Sequence, residues 1–290
     1  MKYAFIEAHR AHYPVPALCE LLGVSRSGYH AWRGRGPSPR EQENRRLVWQ
    51  IRAIHAASEG NYGSPRVHQE LRDQGKVVSL NRVRRLMKKH GIAARHKRKF
   101  RATTDSRHHL PVAPNRLGQA FVAERPDQVW LADVTYLWTD EGWLYLACVL
   151  DLYSRRVVGW AMSERNDRQL VIAALGMAYF QRRPARGLVH HSDRGSVYCS
   201  HDYQKLLEQY GMVCSMSRKA NCYDNAPMES WFKSLKVERV NQRRYTTRAQ
   251  ARSDVFSYIE TFYNPRRRHS MLGYVSPREF ERRFAAKEAA

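Results

Sequence analysis

The spacing of apolar residues changes character along the chain. Up to about residue 95 it follows a helical period, and two stretches have the outline of helix-turn-helix units. In PALCELLGVSRSGYHAWR, Ala17, Leu18, Leu21 and Leu22 recur at helical spacing and Gly23 supplies the turn. Ser25 can cap a second helix that carries Tyr29 and Trp32 inward and Arg26 and Arg33 outward. In SPRVHQELRDQGKVVSLNRVRRLMKKHGI, Ser64 reads as the cap of a helix starting at Pro65, and Ser79 as the cap of the next. That last helix sets Leu80, Val83, Leu86 and Met87 in one stripe. Arg82, Arg84, Arg85, Lys88 and Lys89 surround it, as a helix entering a DNA groove requires.

From Gln128 the pattern turns to strands. VWLADVTYLW, WLYLACVLDL and RRVVGWAM, separated by turn residues, predict a three-stranded meander. A helix over 168–181, a strand over 188–191, a helix over 200–210, a strand over 212–215 and a helix over 225–240 follow. This is an α/β fold: a mixed five-stranded sheet with flanking helices, preceded by an all-α helix-turn-helix region. One more amphipathic helix, 248–263, has Val255, Tyr258, Ile259 and Phe262 as its buried stripe. The division is a helix-turn-helix region at 1–95 (units near 14–34 and 62–91), a basic linker at 96–125, the α/β core at 126–240 and a basic helical tail at 241–290. Trp130, Trp138, Trp143 and Trp160 fall in strands and read as core residues rather than base-stacking platforms.

Composition narrows the function. The chain has 290 residues with a formal net charge of +23, which points to a polyanionic partner, most simply DNA. The excess is uneven. Residues 1–119 hold 24 Lys/Arg against 8 Asp/Glu, residues 120–240 hold 15 against 14, and residues 241–290 hold 11 against 5. Basic flanks suited to phosphates enclose a nearly neutral middle that keeps enough acid for a site needing negative charge. Arg266, Arg267 and Arg268, after the last helix, are expected to contact phosphates. No apolar run approaches the ~20 residues that span a bilayer, so no membrane partner is expected. The N-terminus, with Glu7, His9 and Arg10, does not resemble a signal peptide. Five scattered cysteines suit a reducing cytosol rather than a disulfide or zinc framework. His108-His109 and His190-His191 read as weak metal candidates, and His191 as a residue that orients the loop around Asp193.

Three acids stand out in the middle region. Asp133 interrupts an otherwise apolar strand, where a carboxylate is costly unless paired or bound to metal. Asp193 follows the fourth strand, where ligand sites of α/β sheets lie. Glu229 opens the helix NAPMESWFKSLKVE, with Lys236 seven residues on and on the same face. Alone, each reads as an ordinary turn, cap or dipole-compensating residue. Together, in a basic protein, they suggest hard oxygen ligands for Mg²⁺, with room for water and phosphate oxygens. Two such ions about 4 Å apart can activate an attacking oxygen and stabilise a leaving one in phosphodiester chemistry.

At these residues the chain resembles the second-reading-frame (OrfB) transposase subunit of the IS-three insertion-sequence family. The stretches that carry the resemblance are YGSPRVHQEL, VWLADVTYLW, WLYLACVLDLYSRRVVGWAM, HSDRGSVY, YDNAPMESWFKSLKVE and YNPRRRHSMLGYVSPREF. The 35 residues between Asp193 and Glu229, with Lys236 seven further on, fit that family's Asp-Asp-Glu signature. The resemblance implies an RNase H-like core similar to retroviral integrases. It makes Asp133, Asp193 and Glu229 the catalytic acids, holding two Mg²⁺ ions for which Mn²⁺ can substitute. It also implies that Lys236 contacts the DNA end and that His191, Ser192, Arg194, Gly195, Asp224 and Asn225 shape the site. The implied activity is cleavage at element ends followed by 3′-OH strand transfer. The implied partners are element ends and target DNA, further copies of the chain on paired ends, and a first-frame (OrfA) protein; the implied place is the bacterial cytoplasm, at the nucleoid. Val197 stands where the family pattern leads one to expect Gln, and Ala220 where it leads one to expect Gly. Two rivals remain at this stage: a DNA-binding regulator without catalysis, and a nuclease that cuts without joining.

Overall fold

The meander forms as its alternation demands: β1 (Val129–Thr139), β2 (Gly142–Asp151) and β3 (Val157–Ser163) run antiparallel. The computed structural model describes residues 1–95, 110–219 and 221–289. The basic run after Arg95, His108-His109 and Ala220 lie outside the described residues. A helix, α7 (Arg168–Arg182), returns the chain to β4 (Val189–Ser192), and α8 (His201–Gln209) to β5 (Val213–Met216). Both later strands are parallel to their neighbours, so the sheet order is β3-β2-β1-β4-β5. The α/β prediction holds throughout, with boundaries within two residues.

Strand alternation divides the core in two. Trp130, Ala132, Ala147, Val149 and Val158 pack against Leu170, Val171, Ala174 and Ala178 of α7. Leu131, Leu137, Leu146, Cys148 and Leu150 face the other way. They pack with Met228, Trp231 and Leu235 of α9 (Ala226–Glu238) and with Val255 of α10 (Arg248–Ser257). Beyond α10 the predicted helix widens to π-helical turns over Tyr258–Tyr263, which bury Tyr258, Ile259, Phe262 and Tyr263 together. Asn264 then clamps β3, accepting from the Val157 N–H and donating to its carbonyl, both at 3.0 Å.

Three helices were not legible: α1 (Lys2–His9), α4 (Pro39–Ala57) and α11 (Pro277–Glu288). Helix α4 opens on a polar turn, and its buried face begins only at Leu47. The first predicted unit, α2 (Val15–Leu21) and α3 (Arg26–Gly34), packs with α1 around Ile6, Leu18, Cys19 and Tyr29. The second, α5 (Ser64–Asp73) and α6 (Leu80–Lys89), rests on α4. Gly63, not Ser64, holds the cap position of α5. The hydrophobic cluster of α4–α6 continues into the α9–α10 side of the sheet. The expected basic tail is therefore built into the core: the Glu281 side chain of α11 accepts hydrogen bonds from Arg156 and Arg182.

Two tryptophans depart from expectation. Trp130 is fully buried, but Trp138 and Trp143 are 58% and 44% exposed, at a hairpin tip whose opposite face is covered by Tyr245 and by Ala251 of α10.

Close approach of β3 to α7 requires Gly159. A Cβ there would overlap the Ala174 carbonyl oxygen and come within 2.7 Å of Ala178. Gly159→Ala is expected to cost about 1–3 kcal/mol by overpacking. In a thermal melt that lowers Tm by roughly 2–4 °C per kcal/mol; an unchanged Tm would contradict the packing.

Candidate active site

The site begins where β1 loses a neighbour. Strand β4 pairs with β1 only through Val129, Trp130 and Leu131, and beyond them the edge of β1 is taken by α9. Asn225, preceding α9, donates to the Ala132 carbonyl at 3.2 Å. Asp133, the next residue, lies half-buried in the recess between them, and its Oδ1 accepts from the Val134 N–H at 2.7 Å. Burial first, and then the charges of Asp193 and Glu229, push its carboxyl well above the ordinary range; the Val134 N–H and Lys236 oppose the shift.

Asp193 stands directly after β4. Its Oδ1 accepts the Gly195 N–H at 2.8 Å, and a Cβ on Gly195 would sit only 3.0 Å from that oxygen. His191 anchors the strand beneath. Its Nε2 lies 2.9 Å from the Asp224 carbonyl, which can only accept, so Nε2 carries the proton. Its Nδ1 then accepts from the Ser215 hydroxyl at 2.9 Å, while that oxygen accepts from the Arg116 N–H. Burial holds the imidazole neutral. These bonds tie β4 to β5 and to the loop ahead of α9 rather than to the loop around Asp193.

Glu229, in the first turn of α9, is exposed at the rim; the surrounding protein raises its carboxyl and Lys233 opposes this. Lys236, on the same helical face, is buried, with Nζ 4.8 Å from the centre of the Tyr136 ring. Burial pulls its ammonium down to about 8, against the attraction of Asp133. The three acids thus converge electrostatically on one recess with a single buried lysine. Among the described residues, no three His, Cys, Asp or Glu side chains stand together as a group that could hold a metal ion; Asp133, Asp193 and Glu229 influence one another without forming one. An open set of carboxylates is what Mg²⁺ uses when water and phosphate oxygens complete its shell. The donor chemistry therefore fits a hard divalent cation.

Asp224 holds the loop ahead of Glu229. Fully buried, it accepts from Arg218 through the backbone N–H (2.7 Å) and the guanidinium (2.9 and 3.0 Å), and from Asn115 and Gln119, both at 2.9 Å. Arg218 foremost keeps its carboxyl well below the ordinary range. Asn115 and Gln119 belong to the stretch expected to be only a linker. Here it straps the loop to the core, a role with no local signal because the partners lie more than a hundred positions away.

The cations expected to bind DNA divide into two groups. Arg84, Arg85, Lys88 and Lys89 are exposed along α6, and Arg266 is exposed. Arg82 is instead turned to Glu43 and Asn44 of α4, at 2.8–3.0 Å. Arg267 is buried in a two-pronged bond to Glu238 (2.6 and 2.7 Å), and Arg268 is paired with Glu70 and Asp73. The expected run of three phosphate-facing arginines is corrected accordingly: carboxylates pair with two of them, buried Glu238 with Arg267 and the more exposed Glu70 and Asp73 with Arg268, and Arg266 keeps its charge at the surface.

The comparisons with known proteins agree with this geometry. Residues 123–222 match the integrase core domain model, residues 229–284 a second integrase core domain model, and residues 41–100 an HTH-like domain. The chain is 45% identical over 283 residues to the transposase InsF for insertion sequence IS3A of Escherichia coli (strain K12), covering 97% of this chain and 98% of that protein. It is 49% identical over 267 residues to an IS600 insertion-element 31 kDa protein of Shigella sonnei, covering 92% and 98%. The HTLV-2 integrase catalytic core domain in complex with magnesium (trimeric form) is similar at a TM-score of 0.44 and 14% identity, covering 55% of this chain and 99% of that one. The family models and these relatives show a transposase with an integrase-type core. The chain belongs to the IS3 family of insertion-sequence transposases.

Three mutational outcomes follow. Arg267→Ala removes the two-pronged partner of buried Glu238, leaving it the Tyr258 hydroxyl and Arg66 at 3.9 Å, and is expected to cost about 3–5 kcal/mol; replacing Arg84, Arg85, Lys88 and Lys89 with Ala should instead spare stability and reduce the salt dependence of DNA binding. Chemical denaturation and a binding titration at several salt concentrations distinguish the two; a stable Arg267→Ala protein would refute the assignment. Asp224→Ala should free the loop that carries Glu229, lowering turnover more than DNA affinity. Equal losses in both would argue for general unfolding.

Proposed function

We propose that Asp133, Asp193 and Glu229 form a divalent-metal site for cutting a phosphodiester at the element's ends and joining the freed 3′-OH to another strand. The observation that carries this reading is the convergence of three carboxylates and Lys236 on one recess, from strand and helix segments far apart in sequence. The bound group would be Mg²⁺, with Mn²⁺ as a substitute, two ions per site, supplying activation of the attacking oxygen and stabilisation of the leaving one. The chain's own residues prepare the site. Gly195 and Val134 amides orient the two aspartates, Asp224 holds the start of α9, and Lys236 offers positive charge to a phosphate beside the acids. In this reading residues 1–95 hold DNA through α6 and the flanking basic surface, and 126–240 perform the chemistry. Two ends must be held at once, so further copies of the chain are the expected partners, together with a first-frame protein. The working place is the cytoplasm, at the nucleoid. Among the described residues no helix is long and apolar enough to cross a membrane.

Asp193→Asn tests the reading. With the gene in its own flanking DNA and the first frame supplied, the unaltered protein should yield a joined-end junction detectable by amplification, and Asp193→Asn none. Without DNA, Mg²⁺ should raise the Tm of the unaltered protein and not that of Asp133→Asn/Asp193→Asn. A junction made by Asp193→Asn, or equal metal stabilisation of both proteins, would overturn it.

A further inference from the structure

We propose that the exposed aromatic face at the tip of the β1–β2 hairpin is a stacking platform for an unpaired base of a DNA strand that enters the active site. This rests on the reading of the recess as one that acts on DNA ends. Trp138 and Trp143 face each other across the hairpin, with ring centres 4.8 Å apart at 77°. Trp143 meets Tyr136 in the same edge-to-face manner, at 4.9 Å and 83°. The rings thus form a continuous row on one face of the sheet. Nearer the sheet's centre that face is covered by α7, whereas Trp138 and Trp143 stay 58% and 44% exposed. Cross-strand packing alone accounts for a ring pair, but not for leaving two indoles open to water at the end of a row whose inner ring meets Lys236.

The occupant follows from what adjoins the row. Its inner ring, Tyr136, carries the Lys236 ammonium, and Lys236 interacts with Asp133. Asp133 points to the other face of β1, with Leu131 and Leu137, so Lys236 links the row to the recess around the open edge of the strand. At the row's outer end Arg244, strongly exposed, is anchored to Asp140 of the hairpin turn. Apolar rings flanked by cations at both ends match a nucleotide strand: phosphates on the cations, a base on the rings. Trp138 is five residues along β1 from Asp133, or about 17 Å. That span corresponds to about five stacked base steps. A base opened from the duplex a few positions from the reacting phosphate would reach the indoles, so the surface would favour ends whose terminal pairs have separated.

The test uses the full chain without divalent metal, so that cleavage does not enter. Two labelled probes are titrated: a duplex whose terminal pairs are mismatched, and the same duplex fully paired. Trp138→Ala/Trp143→Ala should bind the mismatched probe about ten-fold more weakly, the scale of one lost base stack, and change less than about two-fold on the paired probe. Trp138→Phe/Trp143→Phe should restore most of the preference. Equal loss on both probes, or no loss on either, overturns the proposal. So does a change in sedimenting mass without selective loss, which would make the surface a contact between protein chains. Asp193→Asn should keep the mismatch preference. If it does while the unaltered protein makes no joined-end junction, the proposed chemistry fails and the platform stands.

Discussion

The structure turns on how far β1 can be paired. A strand in the middle of a sheet must satisfy hydrogen-bonding groups on both edges. β1 does so against β2 along its length but against β4 for only three residues. The edge left open beyond Leu131 is given to α9, tied on by Asn225. Asp133 lies at that change of partner, Asp193 at the end of the strand that stops, and Glu229 and Lys236 on the helix that takes over. A longer β4 would remove the recess.

Burial sets the electrical character of the recess and its surroundings. Asp133 is disfavoured as an anion by its setting and by like charges, whereas Asp224, fully buried, is held as an anion by Arg218 and two amide side chains. The Asp224 carboxylate is consumed in holding the loop, whereas Asp133 accepts from the Val134 amide at the open edge of β1. The same distinction separates the arginines. Arg267 inside Glu238's grasp is structural, because exposing either partner alone would leave a buried charge. Arg84 and Arg85, with no buried face of their own, remain available to a phosphate.

Much of this was legible beforehand. The sheet and its flanking helices followed from alternation and spacing, because a pleated strand and a helix impose fixed periods on their buried faces. The helices α1, α4 and α11 were missed where polar openings or short apolar runs hid the period. The strap at Asn115 and Gln119 carried no signal, since its value lies in a carboxylate reached only by folding.

By itself the sequence determined which segments could be strand or helix, which residues could bear the chemistry, and that the chain would seek a polyanion. Those properties reside in local period, side-chain type and total charge. Only the tertiary structure decided which charges are spent. Lys236 was drawn beneath the acids, Arg82, Arg267 and Arg268 were neutralised by carboxylates distant in sequence, and Trp138 and Trp143 were left outside the core. A charge or a ring acquires its role from what desolvates it and what stands within a few ångströms, and both are set by packing between segments that the chain's order does not place together.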